Sequence, residues 1–279
     1  MVITVASGKG GTGKTTVAVN LATVLARSEE LRPRVCLLDC DVEEPNDHLF
    51  VRPRFTQDLA VEALKPVWDE ERCTGCGRCG EACNYNAIAV VRGRVLLFPE
   101  LCHACGVCSF VCPEGAMAER ESEIGRVQLA PDHRGFAFGH GVLNVGESLA
   151  PAVVAAVKSH IRPGDCTIID AAPGTACPVV EAVRGSDLAL LVTEPTPFGL
   201  SDLRVAVGVT LRVGVPCAIV VNRSDGSDEL IQRYADHVGV PVVGRIPFRR
   251  EYAETYSHGE LLVDRHPELN ALLMDMYRR

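Results

Sequence analysis

Short apolar runs alternate with amphipathic helical stretches along most of this chain. Strands are predicted by the runs at 2–6, 35–39, 141–145, 167–170, 188–193, 218–222 and 241–246. Helices are predicted after the first run, through Val17, Leu21 and Leu25, and near 147–160, 178–185, 200–212 and 228–238. Buried strands separated by helices are typical of a parallel sheet covered on both faces. The pattern therefore predicts an α/β fold with a doubly wound, mostly parallel sheet.

The residues between about 60 and 125 depart from this pattern, because they are rich in cysteine, glycine, arginine and glutamate. They contain an internal repeat with an offset of 29 residues, which maps Cys73, Cys76, Cys79 and Cys83 onto Cys102, Cys105, Cys108 and Cys112. Between the copies, 88–91 and 95–98 flank an Arg-Gly turn and predict a small hairpin. We therefore predict one α/β domain in two segments, 1–60 and 125–279, with a small α+β domain inserted at 61–124.

Composition narrows the possible functions. The formal net charge of −8 argues against nucleic acid as a partner, because phosphate contacts need clustered Lys and Arg. There is no long uncharged apolar run and no room for a signal peptide before the first strand. We therefore expect a cytoplasmic protein without stable membrane insertion. Lysine is rare: there are four lysines against 24 arginines, and two of the four share one glycine loop.

That loop, Gly-Lys-Gly-Gly-Thr-Gly-Lys-Thr at 8–15, matches the phosphate-loop pattern G-x-x-x-x-G-K-[ST] between a predicted strand and a predicted helix. Its glycines let backbone N–H groups converge on phosphate oxygens, and the helix adds its N-terminal dipole. We expect Lys14 to reach the β- and γ-phosphates of ATP and the Thr15 hydroxyl to bind Mg²⁺. The nucleotide-binding set predicted here is Gly8, Lys9, Gly10, Gly11, Thr12, Gly13, Lys14, Thr15 and Thr16. The alternative is a glycine-rich turn that only precedes a helix.

The stretch from Lys9 to Thr16 also resembles the deviant phosphate loop of the MinD/ParA family, which includes the nitrogenase iron protein and the Mrp-type ATPases. In that family the lysine at the position of Lys9 crosses a dimer interface to the partner's nucleotide. The resemblance implies a slow, partner-coupled Mg²⁺-dependent ATPase that closes around ATP as a homodimer or as a heterodimer with a paralogue. Lys9 and Lys14 would then be catalytic residues. A solvated loop lysine is the simpler alternative for Lys9.

The family's switch I segment is similar to Leu38-Asp39-Cys40-Asp41, which follows the second predicted strand. By this resemblance, Asp41 is a catalytic residue that orients the attacking water, and Asp39 lies near the Mg²⁺ shell. An acidic pair at a strand end can also be a helix cap. Asn222 resembles the family's adenine-reading asparagine, although an asparagine at a strand end is often only a turn residue.

The segment 168–175 resembles the family's Walker B and switch II motif. The resemblance implies that Asp170 holds Mg²⁺ through water and that Pro173 and Gly174 belong to the nucleotide site. Ala172 stands where the family has a first proline. The ends of parallel strands are where ligand groups gather in such sheets, which fits the position of Asp170.

The two cysteine runs repeat the bacterial ferredoxin pattern C-x2-C-x2-C-x3-C. In that pattern three closely spaced thiolates bind one 4Fe–4S cluster, and the fourth cysteine of each run binds the other cluster. We therefore predict one cluster on Cys73, Cys76, Cys79 and Cys112, and a second on Cys83, Cys102, Cys105 and Cys108. Two structural zinc ions are the alternative, since zinc also binds four thiolates. Asn84 stands where a proline normally follows the fourth cysteine.

Some cysteines outside this block are expected to be simple core residues, namely Cys36, Cys166 and Cys217. Cys177 is either a packed thiol or a residue that faces a dimer seam. A cluster shared by two subunits would need a second cysteine before Walker B, and 139–147 contains none. The last predicted helix, 267–279, is expected to dock on the core rather than bind a membrane.

Two hypotheses of different classes follow. In the first, nucleotide-driven dimer closure controls electron transfer through two 4Fe–4S clusters to a redox partner protein. In the second, the chain is a maturation factor that assembles or delivers a metal or iron–sulfur cofactor. The cysteine block lies between Asp41 and Asp170 in chain order. A change of bound nucleotide at these two segments would therefore be transmitted to the block, which favours the first hypothesis.

Overall fold

Strands and helices alternate along the chain, of which the computed structural model describes residues 1–29 and 34–279, apart from the side chain of Asp132. The strands are β1 (Val2–Ala6), β2 (Val35–Cys40), β3 (Gln57–Trp68), β4 (Ile88–Val91), β5 (Arg94–Leu97), β6 (Met117–His133), β7 (Phe136–Leu143), β8 (Cys166–Ala171), β9 (Leu188–Thr193), β10 (Cys217–Ser224) and β11 (Val242–Pro247). The helices are α1 (Lys14–Arg27), α2 (Asp47–Val51), α3 (Arg78–Glu81), α4 (Val107–Phe110), α5 (Ala150–Lys158), α6 (Cys177–Val183), α7 (Pro197–Arg212), α8 (Glu229–Val238), α9 (Arg250–Ser257), α10 (Leu262–Arg265) and α11 (Glu268–Arg278).

The chain divides into two units. Unit 1 comprises Met1–Asp58, Val127–Val142 and Val154–Arg279, and unit 2 comprises Leu59–Arg126 and Leu143–Val153. Residues 143–153 thus group with unit 2, outside the range 61–124 predicted for the insertion. Strands β3 and β6 each run across a unit boundary, so the chain leaves unit 1 and returns to it as continuous strand.

The sheet has the strand order β11-β10-β9-β1-β8-β2-β7-β6-β3. Neighbouring strands from β11 through to β7 are parallel. This confirms the predicted mostly parallel α/β sheet. Every residue of β2 and of β8 is buried, as expected for central parallel strands. Their register pairs Asp39 with Asp170, so two candidate site residues lie side by side at the strand ends.

Helices pack against this sheet in two groups. Helices α1, α10 and α11 pack together, and α1 and α11 also contact strands β8 and β11. Helices α6 and α7 form the other group and contact β1, β8, β9 and β10. Buried side chains of α11, including Leu269 and Leu273, join the same apolar cluster as α1. The prediction that the last helix docks on the core is therefore confirmed.

The strand predicted at 141–145 is wrong in its boundaries, because the strand found there is β7, Phe136–Leu143. Phe136 and Phe138 alternate into the core and are each 1% exposed, whereas Val145 is fully exposed. The apolar run at 141–145 was the more visible signal, but tertiary packing selects the preceding residues. Strands β3 and β6 were missed, since both contain many exposed polar residues and lack a buried apolar run.

Unit 2 contains the predicted hairpin. Strands β4 and β5 pair antiparallel, with Ile88 opposite Leu97. Ile88, Val95 and Met117 form a small core with Cys79, against which Trp68 and several other cysteines of the block pack. The apolar interior of this unit is therefore built largely around its cysteines.

Candidate functional site

The loop at 8–15 connects β1 to α1 and requires glycine at two positions for steric reasons. A Cβ on Gly8 would lie 2.3 Å from the Asp202 carbonyl oxygen of α7. Gly13 has φ +94°, and a Cβ there would lie 2.2 Å from Nδ2 of Asn222. Any larger residue would push the loop away from its neighbours, so the backbone N–H groups keep their conformation only with glycine at these positions.

Two hydrogen bonds hold this loop against strand ends. The Asn222 amide of β10 donates to the Thr12 carbonyl oxygen at 2.7 Å. The Gly174 N–H, in the loop after β8, donates to the Ser7 carbonyl oxygen at 3.0 Å. Asn222 was predicted to contact adenine, and here its amide supports the phosphate loop while the residue lines the adjoining cavity.

A cavity of about 390 Å³ opens in front of the loop. The predicted residues that line it are Gly10, Gly11, Gly13, Lys14, Thr15, Thr16, Asp41, Pro173 and Asn222. The other predicted residues are not part of this lining, namely Gly8, Lys9, Thr12, Asp39, Asp170 and Gly174. Prediction from the sequence missed the part of the wall that follows β11, which includes Phe248, Arg249, Tyr252 and Tyr256. The position of these residues after a parallel strand was the signal that could have identified them.

Thr15 and Asp170 form the candidate Mg²⁺ position. The Thr15 hydroxyl donates to Asp170 Oδ2 at 2.6 Å. Asp170 is 1% exposed, and its Oδ1 receives no hydrogen bond from the described residues. Burial raises the pKa of Asp170, while Lys14 and the Thr15 hydroxyl act to lower it. A buried carboxylate oxygen without a donor, beside a hydroxyl, is a donor set that suits a hard cation such as Mg²⁺.

Asp39 organises the loop after β2. Its carboxylate accepts hydrogen bonds from the N–H groups of Asp41 (3.0 Å), Asn46 (2.9 Å) and Asp47 (3.1 Å). Burial and the neighbouring Asp170 raise the pKa of Asp39 to about 8. Because these bonds fix the start of α2 to the end of β2, the position of Asp41 at the cavity wall depends on Asp39.

Asp41 lies at the cavity wall with its carboxyl partly buried. Burial raises its pKa to about 6, against the lowering influence of Lys14. Lys9 lies outside the cavity lining, with its Nζ 3.4 Å from Glu194 Oε2 and about one third of its side chain exposed. Glu194 also pairs with Arg223. Lys9 is therefore held on the surface of its own chain by an ion pair that water can reach.

Unit 2 contains two cysteine-lined cavities. The first is lined by Cys73, Cys76, Cys79 and Cys112. The second is lined by Cys83, Cys102, Cys105 and Cys108. Each cavity thus collects three cysteines of one run and the fourth cysteine of the other run.

The thiols in these cavities receive backbone hydrogen bonds at equivalent positions of the repeat. The N–H to Sγ pairs are Gly75–Cys73 (3.4 Å), Ala87–Cys83 (3.3 Å), Ala104–Cys102 (3.4 Å) and Ala116–Cys112 (3.2 Å). At Cys112, burial acts to raise the pKa, but N–H groups of Met117 and of three residues before it lower it overall. Such donors favour a thiolate and are the kind of contact that tunes an iron–sulfur cluster.

The donor set also bears on the zinc alternative. Across residues 1–29 and 34–279, no group of three or more His, Cys, Asp or Glu side chains converges closely enough to hold a single metal ion. Tetrahedral zinc needs four sulfur atoms about 2.3 Å from one centre. A four-iron cubane instead binds each thiolate through a separate iron atom.

The remaining cysteines divide as follows. Cys36, Cys166 and Cys217 are buried, as predicted, and Cys40 is buried as well. Cys177 is exposed at the start of α6, so the interpretation of Cys177 as a packed thiol is wrong for this chain. Within the described part of the chain, each helix is too short or too polar to span a bilayer.

The glycine loop between strand and helix, the lysine at its end and the aspartates at neighbouring strand ends define a P-loop nucleotide-binding protein. The chain belongs to the CobQ/CobB/MinD/ParA nucleotide binding domain family (CbiA), whose model matches residues 3–263. The resemblance to MinD/ParA/Mrp P-loop ATPases is thereby confirmed.

Three similar proteins illustrate this relationship. An uncharacterized protein of Methanocaldococcus jannaschii is 28% identical over 270 residues, covering 93% of this chain and 90% of the relative. The iron-sulfur cluster carrier protein of the same organism is 22% identical over 278 residues, covering 92% of this chain and 76% of the relative. The solved cell division ATPase MinD of Pyrococcus furiosus superposes with a TM-score of 0.60 at 21% identity, covering 99% of this chain and 96% of that one.

Proposed function

We propose that this chain is an ATP-hydrolysing iron–sulfur protein that couples nucleotide-driven dimer closure to electron transfer through two 4Fe–4S clusters to a redox partner protein. The observation that carries the proposal is the pair of cysteine-lined cavities in unit 2. Each has four thiols, and each takes its fourth thiol from the other half of the repeat.

In unit 1, Lys14 would contact the β- and γ-phosphates of ATP, since it lines the cavity and is only 7% exposed. Thr15 and Asp170 would hold Mg²⁺, which neutralises charge on the phosphates when bound. Asp41 would accept a hydrogen bond from the attacking water, as its pKa of about 6 leaves it mostly ionised near neutral pH.

In unit 2, the eight thiolates would hold two clusters, which act as one-electron carriers when bound. The four N–H to Sγ hydrogen bonds would stabilise the negative charge on sulfur. Two adjacent carriers in one small unit suit electron passage better than structural bracing, because bracing needs only one.

Coupling between the nucleotide cavity and the cysteine-lined cavities is supported by the path of the chain. The loop organised by Asp39 leads directly into α2, and β3 follows α2 by five residues and continues into unit 2. The chain returns through β6 and β7, and β7 pairs with β2 with His140 opposite Asp39. A nucleotide-dependent movement of the Asp39–Asp41 segment would therefore act on the covalent connections of unit 2.

Dimer closure would use Lys9. Its ion pair with Glu194 is partly exposed and is worth at most about 1 kcal/mol, so a partner's phosphate can displace it at small cost. The test is anaerobic purification followed by light scattering and EPR with Mg²⁺–ATP or Mg²⁺–ADP. We expect ATP alone to increase the molar mass and to change the rate of electron transfer to a viologen acceptor, and Lys9→Gln to abolish both effects. The proposal fails if ATP and ADP give the same mass and the same rate.

A second candidate function is assembly or delivery of an iron–sulfur cofactor. It is favoured by the similarity to an iron-sulfur cluster carrier protein, which covers 92% of this chain and 76% of that relative, and by the exposed Cys177 at the start of α6. Incubation with an apo-ferredoxin acceptor separates the two functions. Cluster transfer that requires ATP and is lost in Cys177→Ser would support delivery, whereas clusters that stay with the chain would support electron transfer.

A further inference from the structure

The two cysteine-lined cavities of unit 2 differ in the side chains around their thiols. Because the repeat has an offset of 29 residues, each position in one lining has a counterpart in the other. Three residues form what we call the first rim, namely Thr74, Arg78 and Glu114 of the first cavity. The second rim consists of the residues at the corresponding positions of the second cavity, namely His103, Val107 and Tyr85.

The second rim replaces polar and charged side chains by aromatic and aliphatic ones. Phe110 extends this change, because it follows Val107 by one turn of α4 and is 90% exposed, whereas α3 has Glu81 at that position. Glu119 is an exception, since it lines the second cavity where Val90 lines the first. The thiols of both cavities receive backbone N–H donors at equivalent positions. The two cavities therefore differ in what they present to a partner rather than in how they would hold a cluster.

The two aromatic rings of the second rim are stacked. The rings of Tyr85 and His103 lie at 17° to each other, with their centroids 3.8 Å apart. Tyr85 is 45% exposed, and His103 is exposed as well. A stacked pair that only closed the cavity would bury its rings, because apolar surface left in water gains nothing from the hydrophobic effect. This pair instead offers an accessible aromatic face beside the cavity that collects Cys102 and Cys105.

We infer that the stacked pair of Tyr85 and His103 binds a planar, uncharged redox ring of the flavin type, which exchanges electrons with the second cluster. Flat aromatic rings favour offset stacking on one another. Val107 and the 49% exposed Leu64 add apolar surface to the same lining, which suits an uncharged ring. The inference rests on the proposed function, since it assigns a route to the electrons of the clusters, and it adds the chemical class of the acceptor.

The electron count of such a ring matches the content of unit 2. Full reduction of a flavin ring takes two electrons and two protons. Each reduced 4Fe–4S cluster gives up one electron and returns to its oxidised state, so the two clusters of one chain supply both electrons. Solvent supplies the protons, two N–H bonds form on the ring, and no other covalent bond forms or breaks.

The probe for this site is lumiflavin, a flavin ring without a phosphate group. Its binding to the full chain, purified anaerobically with oxidised clusters and without nucleotide, is measured by equilibrium dialysis. We expect the wild type to bind one lumiflavin per chain. Tyr85→Leu keeps an apolar side chain but removes the ring, and it should bind lumiflavin about 3–10-fold more weakly. Tyr85→Phe is the matched control, which keeps the ring and should bind lumiflavin like the wild type.

Electron transfer is followed by stopped-flow reoxidation of the dithionite-reduced chain. Lumiflavin serves as a free flavin, flavodoxin as a protein-bound flavin, and ferricyanide as a small anion that does not stack. Tyr85→Leu should slow reoxidation by a flavin several-fold, with an unchanged ferricyanide rate and unchanged EPR signals of both clusters. If Tyr85→Leu loses a cluster, His103→Leu takes its place in both measurements, because it removes the other ring of the pair.

The two flavin acceptors distinguish the source of the ring. A Tyr85-dependent effect on lumiflavin supports a free flavin as the ligand, and an effect on flavodoxin alone supports a flavin carried by a partner protein. The inference is overturned if neither acceptor distinguishes Tyr85→Leu from the wild type, or if Tyr85→Phe is as impaired as Tyr85→Leu. Equal flavin reduction with ATP and with ADP would refute the nucleotide control in the proposed function and keep this inference. ATP-controlled electron transfer to viologen without a flavin site would refute this inference alone.

Discussion

Lys65→Met tests a buried ion pair that joins two chain segments of unit 2. Lys65 lies on β3, and its Nζ is 2.6 Å and 2.8 Å from the two carboxylate oxygens of Glu147, with side chains only 9% and 10% exposed. Lys65 also donates to the Pro99 carbonyl oxygen at 2.8 Å, in the turn that precedes Cys102. This pair therefore connects β3, residues 143–153 and the second cysteine run.

The expected loss follows from burial. Methionine keeps most of the length of the lysine stem but removes the charge. Among the residues that the structure describes, the buried Glu147 carboxylate is then left with only the Ser148 N–H as a donor. Removing one partner of a buried pair typically costs about 3–5 kcal/mol in unfolding free energy. With a urea m-value of about 2 kcal/mol per molar, this loss lowers the unfolding midpoint of unit 2 by about 2 M. Lys65→Met/Glu147→Met should recover most of it, because no unpaired charge remains.

Tryptophan fluorescence isolates the relevant unit, since Trp68 is the single tryptophan of the chain and packs against the small core of unit 2. The matched control is Glu123→Gln, which breaks an exposed ion pair with Arg126 in the same unit, where both side chains are about 40% exposed. That change should cost less than about 1 kcal/mol. The reasoning is refuted if Lys65→Met shifts the Trp68 transition no more than the control does, or if the double variant is as unstable as the sum of the single ones.

Three further outcomes are expected. Gly8→Ala should weaken ATP binding by at least about tenfold, because its Cβ would overlap backbone of α7, whereas Gly208→Ala in the same helix meets no atom within 4 Å and should leave affinity unchanged in equilibrium dialysis. Cys76→Ser and Cys112→Ser should remove the same EPR signal and about half of the iron, and loss of different signals would contradict the crossed ligand sets. Asp41, with a pKa raised to about 6, contributes stability that is lost as pH rises through that value. Bound Mg²⁺–ATP carries net negative charge and engages Lys14, which otherwise lowers the pKa of Asp41, so calorimetry at pH 6 in two buffers of different ionisation enthalpy should detect proton uptake.

How much the sequence could predict depends on how local each signal is. The phosphate loop, the strand-end Asp170 and the eight cysteines were all visible, because their residue types recur at fixed spacing within one short segment. Asp47 was missed, since an aspartate after Pro-Asn looks like an ordinary residue of a helix start. Only the pairing of β2 with β8 shows that Asp39, whose carboxylate accepts a hydrogen bond from the Asp47 N–H, lies beside Asp170, which is 123 residues from Asp47 in the chain.

Contacts between residues far apart in the chain could not be predicted from the sequence either. Lys65 and Glu147 are separated by 82 residues and carry no motif, so no periodicity connects them. Tyr252 and Tyr256, which line the nucleotide cavity, belong to α9, and the sequence of α9 looks like that of any polar surface helix. In each case the missing information is the long-range packing that brings two unremarkable segments together.

The rarity of lysine acquires a physical meaning in this structure. Exposed ion pairs such as Arg250–Glu254 and Arg265–Glu260 use arginine. Lys158, by contrast, donates to the carbonyl oxygens of Ala182 (3.0 Å) and Arg184 (2.6 Å) at the end of α6, where its charge complements the helix dipole.

Lys65 likewise divides three donors between a carboxylate and a carbonyl, and Lys14 is buried beside the phosphate loop. A compact ammonium can aim its three N–H groups at oxygens that do not share one plane, whereas the five N–H groups of a guanidinium all lie in its plane. Lys9 has one partly exposed partner, Glu194, among the described residues. If lysine is retained in this chain where several oxygen atoms converge on one ammonium group, then Lys9 lacks some of its oxygen acceptors within its own chain. The triphosphate bound to a second protomer would supply them.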